Sequence, residues 1–144
     1  MNQRQRKLSR RLVAATVVGD AHHVKALLRA GADPERGDSE GTTPLYVAAA
    51  NGEAEITRLL LVAGASADTE SRGIGSEGTP LCAAACWGHT TTVRELLAHG
   101  ADPNLREDHD TGRSPLDWAI EGLHQEATAL LTAAGATPSH GATT

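Results

Sequence analysis

The dipeptide Gly-Ala returns at Gly31-Ala32, Gly64-Ala65, Gly100-Ala101 and Gly135-Ala136, in steps of 33, 36 and 35 residues. A period of that length marks a chain built from repeated supersecondary units. A second marker keeps phase with the first: Thr43-Pro44-Leu45, Thr79-Pro80-Leu81 and Ser114-Pro115-Leu116, each about twenty residues ahead of the next Gly-Ala. Between the markers lie an Ala-rich stretch, usually a glycine (Gly19, Gly52, Gly88), and a segment ending in paired leucines. Each unit therefore reads as helix, turn, helix, loop.

The residues of one unit explain that reading. Ser or Thr before Pro starts a helix, because the hydroxyl caps free amides and Pro fits the first turn, where no N–H is needed. The first helix then carries Ala48-Ala49, Ala84-Ala85 or Ala119-Ile120, a thin face that lets neighbours approach closely. Ala fills 25 of the 144 positions, Phe is absent, and the aromatics are Tyr46, Trp87 and Trp118. In the second helix Ile56, Leu60 and Leu61, or Val93, Leu96 and Leu97, recur at three and four residues and form one apolar stripe. Gly64, Gly100 and Gly135 then stop it. One unit cannot bury its own stripe, whereas a stack of three or more can.

Charge and cysteine content narrow the function classes. Arg4, Arg6, Lys7, Arg10 and Arg11 place +5 in the first eleven residues, and the remainder sums to -10. Such an acidic body is poorly suited to phosphate backbones, so no nucleic-acid partner is expected. Two cysteines make no disulfide framework, which fits a reducing, cytoplasmic setting. Without an apolar run of about 18 residues, no membrane partner is expected either. Ser9-Arg10-Arg11-Leu12-Val13-Ala14 is similar to a twin-arginine export signal, but the apolar stretch Leu12 to Val18 is short and the repeat pattern already uses it. Residues 1–11 are expected to form a solvated basic arm with a frayed helix start, and 137–144 a disordered tail.

Gly41-Thr42-Thr43-Pro44-Leu45-Tyr46-Val47-Ala48-Ala49, Gly78-Thr79-Pro80-Leu81-Cys82-Ala83-Ala84-Ala85 with Gly88-His89, and Gly100-Ala101-Asp102-Pro103-Asn104 together resemble the ankyrin repeat. Its repeat of about 33 residues and its T-P-L-H-x-A signature are met or nearly met. The likeness runs from about Leu12 to Ala136, in units of approximately 8–40, 41–77, 78–112 and 113–136. It departs at the ends, with Arg11 where Pro falls in the other units and Leu123 where Gly falls. Tyr46, Cys82 and Asp117 replace the signature His. The resemblance implies an all-α solenoid of four helix-turn-helix units with β-turn-like fingers, a concave groove lined by first helices, and no catalytic activity. It implies a protein partner, no cofactor and no metal, in a chain that is monomeric alone and acts as an adaptor.

The longer second and third steps place extra residues in the fingers around Ser71 to Glu77 and Glu107 to Gly112. Finger charge is -3 in the first finger and -2 in each of the next two, so seven of the body's ten net negative charges share one edge. That edge would steer a basic surface. Asp38, Glu40, Arg72, Glu77, Glu107, Asp108, His109 and Asp110 are the expected finger contacts. Counted from Pro80, Trp87 falls at the groove-facing end of its first helix, where Asn51 and Gly122 stand in adjacent units, and it is the expected apolar anchor. Trp118 is expected in the core.

Three further patterns bear on chemistry. Gly73-Ile74-Gly75-Ser76-Glu77-Gly78 matches G-x-G-x-x-G, yet the strand that should precede it is read as helix. Cys82, Cys86 and His89 begin a metal-ligand spacing without a fourth ligand. Tyr46, Cys82 and Asp117 share one column, and with Cys86 and Trp87 they define an alternative small-molecule or enzymatic reading of the groove. No histidine in the column would activate the thiol.

Overall fold

The computed structural model describes residues 2–138, with the side chains of Ser76 and His109 and the stretch 139–144 outside the described residues. Four helix pairs follow one another. The first is α1 (Gln3–Val17) with α2 (Ala21–Arg29), and the second is α3 (Pro44–Ala50) with α4 (Ala54–Val62). A hairpin of β1 (Ser71–Gly73) and β2 (Ser76–Gly78) precedes α5 (Pro80–Cys86) and α6 (Thr90–Ala98). A single turn, α7 (Glu107–Asp110), precedes the last pair, α8 (Pro115–Glu121) and α9 (Gln125–Ala133).

Each inner start is capped as its residues dictate. The hydroxyls of Thr43, Thr79 and Ser114 accept the amides of Tyr46, Cys82 and Asp117 at 3.2, 3.2 and 3.1 Å. Asp117 Oδ2 returns the favour at the last of these, accepting from Ser114 N at 3.0 Å, which closes a capping box. First helices pack on first helices (α1 on α3, α3 on α5, α5 on α8) and second on second (α2 on α4, α4 on α6, α6 on α9). The contacts that allow this spacing are small: Ala48, Ala49, Ala84, Ala85 and Ala119 are wholly buried. Ile56, Leu60, Val93, Leu96 and Leu131 fill the seam between layers and join one continuous core.

Residues 3–11 do not form a frayed arm. They are the opening turns of α1, capped by Asn2, whose side chain accepts Gln5 N at 2.8 Å. Leu8 and Ser9 are buried against the second unit's side of the stack, and Arg4 and Gln5 reach the carbonyls of Ala30 and Gly31 at 2.9 and 3.3 Å. Those two contacts tie the helix down where solvated basic residues alone would fray. The lengthened second finger also departs from a plain turn: β1 and β2 pair antiparallel, with Ser71 opposite Gly78 and Arg72 opposite Glu77. The two-residue link Ile74-Gly75 makes this possible, since Gly75 holds the left-handed φ of 76° that such tight hairpins need. Arg72 N donates to Gly41 O at 2.9 Å and locks the hairpin to the base of the first finger.

Histidine joins the units in a way the column reading missed. His89 Nε2 lies 3.0 Å from Ala50 O and His124 Nε2 3.0 Å from Cys86 O, so each ring donates to the end of the first helix in the preceding unit. The imidazoles fit beneath Gly52 and Gly88, where a Cβ would come within 2.7 and 2.4 Å of ring atoms. Glycine there thus serves close approach as well as its positive φ of 69°. Leu123 holds the same conformation, φ 60°, with a side chain, and no further unit follows it among the described residues.

Candidate functional site

Trp87 is the C-cap of α5 and is 65% exposed, so one of the chain's two tryptophans stands uncovered at a helix end. Asn51, the C-cap of α3, is exposed one unit away, and Gly122 caps α8 on the other side. Sequence reasoning left out Val18, the C-cap of α1, which is 75% exposed in the same column. Its signal was present, since it precedes Gly19 as Trp87 precedes Gly88. Ile120, also missed, is exposed because no fifth unit covers it among the described residues.

Finger carboxylates divide into those that hold the fold and those that face solvent. Asp38 Oδ1 accepts the amides of Glu40 and Thr42 at 2.9 and 3.1 Å and thereby shapes its own turn. Asp110 does the same for Arg106 N at 3.1 Å. Glu35 accepts Ser66 N at 3.1 Å and Asp68 accepts Asp102 N at 2.9 Å, which stitches each finger to the next. Glu40, Glu77 and Asp108 are exposed and make no such bond among the described residues. Arg72 is exposed opposite Glu77 on the hairpin. His109 lies in α7, its side chain outside the described residues. The single-sign edge expected from composition is thus partly structural, and its free carboxylates are fewer than its formal charge.

Glu107 is the exception, half-buried where α7 faces the hairpin. With Glu70, Arg72, Glu77 and Asp108 it lines a cavity of about 320 Å³ between the second and third fingers. Burial pushes its carboxyl above the ordinary value, the charges of Glu70 and Asp108 add to that, and the Trp118 indole N–H and Arg113 oppose it. Trp118 is half-buried against the core rather than within it. Its Nε1 closes no full hydrogen bond, and its ring carries the Arg113 guanidinium 4.9 Å from the centroid. Arg113 also pairs with Glu121. The Arg113 guanidinium is thus held by the Trp118 ring and the Glu121 carboxylate together.

The column of Tyr46, Cys82 and Asp117 has no nucleophile in it. Cys82 is fully buried, and its Sγ points to the carbonyls of Arg113 and Leu105 at 3.6 and 3.9 Å. Burial drives its thiol far above the ordinary range, so the reactive thiolate is suppressed. Burial raises Cys86 and Tyr46 as well, with Glu107 next among the causes for both. Asp117 is committed to its capping box. His89 is engaged with Ala50, away from a shared site with the cysteines, and among the described residues no three His, Cys, Asp or Glu side chains are placed to hold a metal. Among the described residues no helix is long and apolar enough to cross a membrane.

Stacked helix pairs with fingers along one edge define a helical repeat solenoid. A family model for ankyrin repeats in three copies matches residues 12–107 and, overlapping them, 64–141. The chain belongs to the ankyrin-repeat family. It is similar to the potassium channel KOR1 of Oryza sativa subsp. japonica, 33% identical over 92% of this chain and 19% of that protein. It is also similar to the putative E3 ubiquitin-protein ligase XBAT35 of Arabidopsis thaliana, 37% identical over 78% of this chain and 24% of the relative. The human neurogenic locus notch homolog protein 2 is 37% identical over 81% of this chain and 4% of its own length. The likeness is to a segment of each relative. Ankyrin repeats generally mediate protein–protein interaction.

Proposed function

We propose that this chain is a non-catalytic adaptor that holds a basic protein partner across the groove of its second and third units, acting in the cytoplasm as a monomer. The observation that carries this reading is Trp87, 65% exposed at the C-cap of α5. A large aromatic of that kind is the usual centre of an interface. Asn51 stands at the matching helix end one unit away, Glu107 lines the cavity between the second and third fingers, and Glu40, Glu77 and Asp108 form the solvent-facing rim that steers a cationic surface. Arg72 offsets Glu77 on the hairpin, and Asp38 and Asp110 fix the turns that present their neighbours. A rim of this type acts mainly on association rate and on salt dependence. The fully buried, carbonyl-bonded thiol of Cys82 argues against the enzymatic alternative.

The test is affinity capture from the source cell with the full chain, its Trp87→Ala variant and a Glu77→Lys/Asp108→Lys double variant. Loss of one protein with Trp87→Ala, and its weakening with the double variant, is the expected result. Retention of every captured protein by both variants would overturn the assignment of this surface.

A further inference from the structure

The basic opening of α1, which the groove does not use, borders a second cavity. Arg6, Ser9 and Arg10 face Gly37, Asp38 and Ser39 of the first finger across about 310 Å³. Arg6 and Arg10 stand one helical turn apart on the same face. Among the described residues neither guanidinium has a hydrogen bond or ion pair, and Asp38 in the opposite wall lies beyond ion-pair distance of both. Ser9, between them, is only 2% exposed, and its Oγ is a buried polar atom with no partner. A buried hydroxyl is ordinarily bonded, and Ser9 leaves its own unmatched in a residue that lines this cavity.

The chemistry of the walls says what the cavity would take. Two permanently charged guanidinium groups call for an anion, and arginine in particular suits phosphate and carboxylate oxygens. Ser9 and Ser39 add hydroxyls from the helix and the finger. The main-chain amides of Gly37 and Ser39 make no bond within the described chain. Asp38 is the one carboxylate in the lining, and its Oδ1 is engaged by the amides of Glu40 and Thr42. Donors arriving from a helix on one side and a loop on the other surround a tetrahedral group better than a planar one. We infer that the cleft between α1 and the first finger is a binding site for a phosphate group, free or as a small monoester. The site is separate from the groove and stands or falls independently of the partner-binding reading.

Amide-resolved NMR titration of the full chain at constant ionic strength tests it, with inorganic phosphate, glycerol 2-phosphate and acetate as probes. Saturable shifts confined to residues 6–10 and 37–39 are expected with both phosphates, and little change with acetate. Tighter binding of the ester would assign a monoester, and equal binding the free ion. Arg6→Gln and Arg10→Gln, both at exposed positions, should each weaken binding about tenfold or more. Ser9→Ala should weaken it severalfold while leaving the spectrum's dispersion intact. Shifts that never saturate, that scatter over the surface, that persist unchanged in Arg10→Gln, or that acetate reproduces would each overturn the site.

Discussion

The stack interior and the finger edge obey different rules although both come from the same repeat. Inside, equivalent positions keep equivalent chemistry: Ala48, Ala84 and Ala119 are each fully buried, as are Leu60, Leu96 and Leu131. Along the edge, equivalent positions diverge into a simple turn, a β-hairpin and a single helical turn. The interior is constrained from both sides by identical neighbours, so any change in volume is felt by two interfaces. The edge is constrained only at its base, by Glu35, Asp68 and Asn104 reaching the next finger, and its tips are free to vary.

That contrast can be broken or sharpened by substitution. Leu96→Ala, in the seam between α4, α6 and α9, should have the largest effect, a loss of about 2–5 kcal/mol in urea unfolding. Gly88→Ala should cost about 1–2 kcal/mol from its left-handed backbone alone. It should cost more in practice, because the new Cβ displaces the His124 ring from Cys86 O. At the matching position of the last unit the sign reverses: Leu123 is 85% exposed with a φ of 60°, so Leu123→Gly relieves the same backbone and should raise stability by about 0.5–1 kcal/mol.

Edge substitutions should be quieter in stability and louder in binding. Glu107 titrates above its unfolded value, so the folded state favours the protonated carboxyl. Wild-type stability should therefore fall as pH rises from the ordinary carboxylate value through the raised one. Glu107→Gln should flatten that part of the urea-midpoint profile; an unchanged slope would show that the carboxyl is not the cause. Trp87→Ala should leave the midpoint within about 0.5 kcal/mol, as for an exposed site, while removing partner capture.

Much of the interior was legible in the chain because repetition multiplies a weak signal. A single Thr-Pro-Leu means little, but three in phase with four Gly-Ala pairs fix where helices start and stop. The exposure of Trp87 at its helix end followed from counting, and the same count applied to Val18 would have found the exposed valine. Less legible was anything that joins residues far apart in sequence. His89 read only as part of an incomplete ligand spacing and His124 carried no signal at all, because their carbonyl partners lie 39 and 38 residues away. Arg4 and Gln5 looked like a loose arm for the same reason, their acceptors being 26 residues on. Formal charge also misled at the fingers, where a carboxylate that caps a turn and one that faces solvent are written with the same letter.

Periodicity, capping residues and alanine content by themselves determined that this chain forms stacked helix pairs with acidic connections, since those properties act within about one unit and repeat. Which carboxylates remain free, how deep Glu107 and Cys82 lie, and that an unpaired arginine pair lines one cavity with an orphaned serine were decided by the stack. Burial and hydrogen-bond partnership depend on what the neighbouring units bring close, and no local pattern records that.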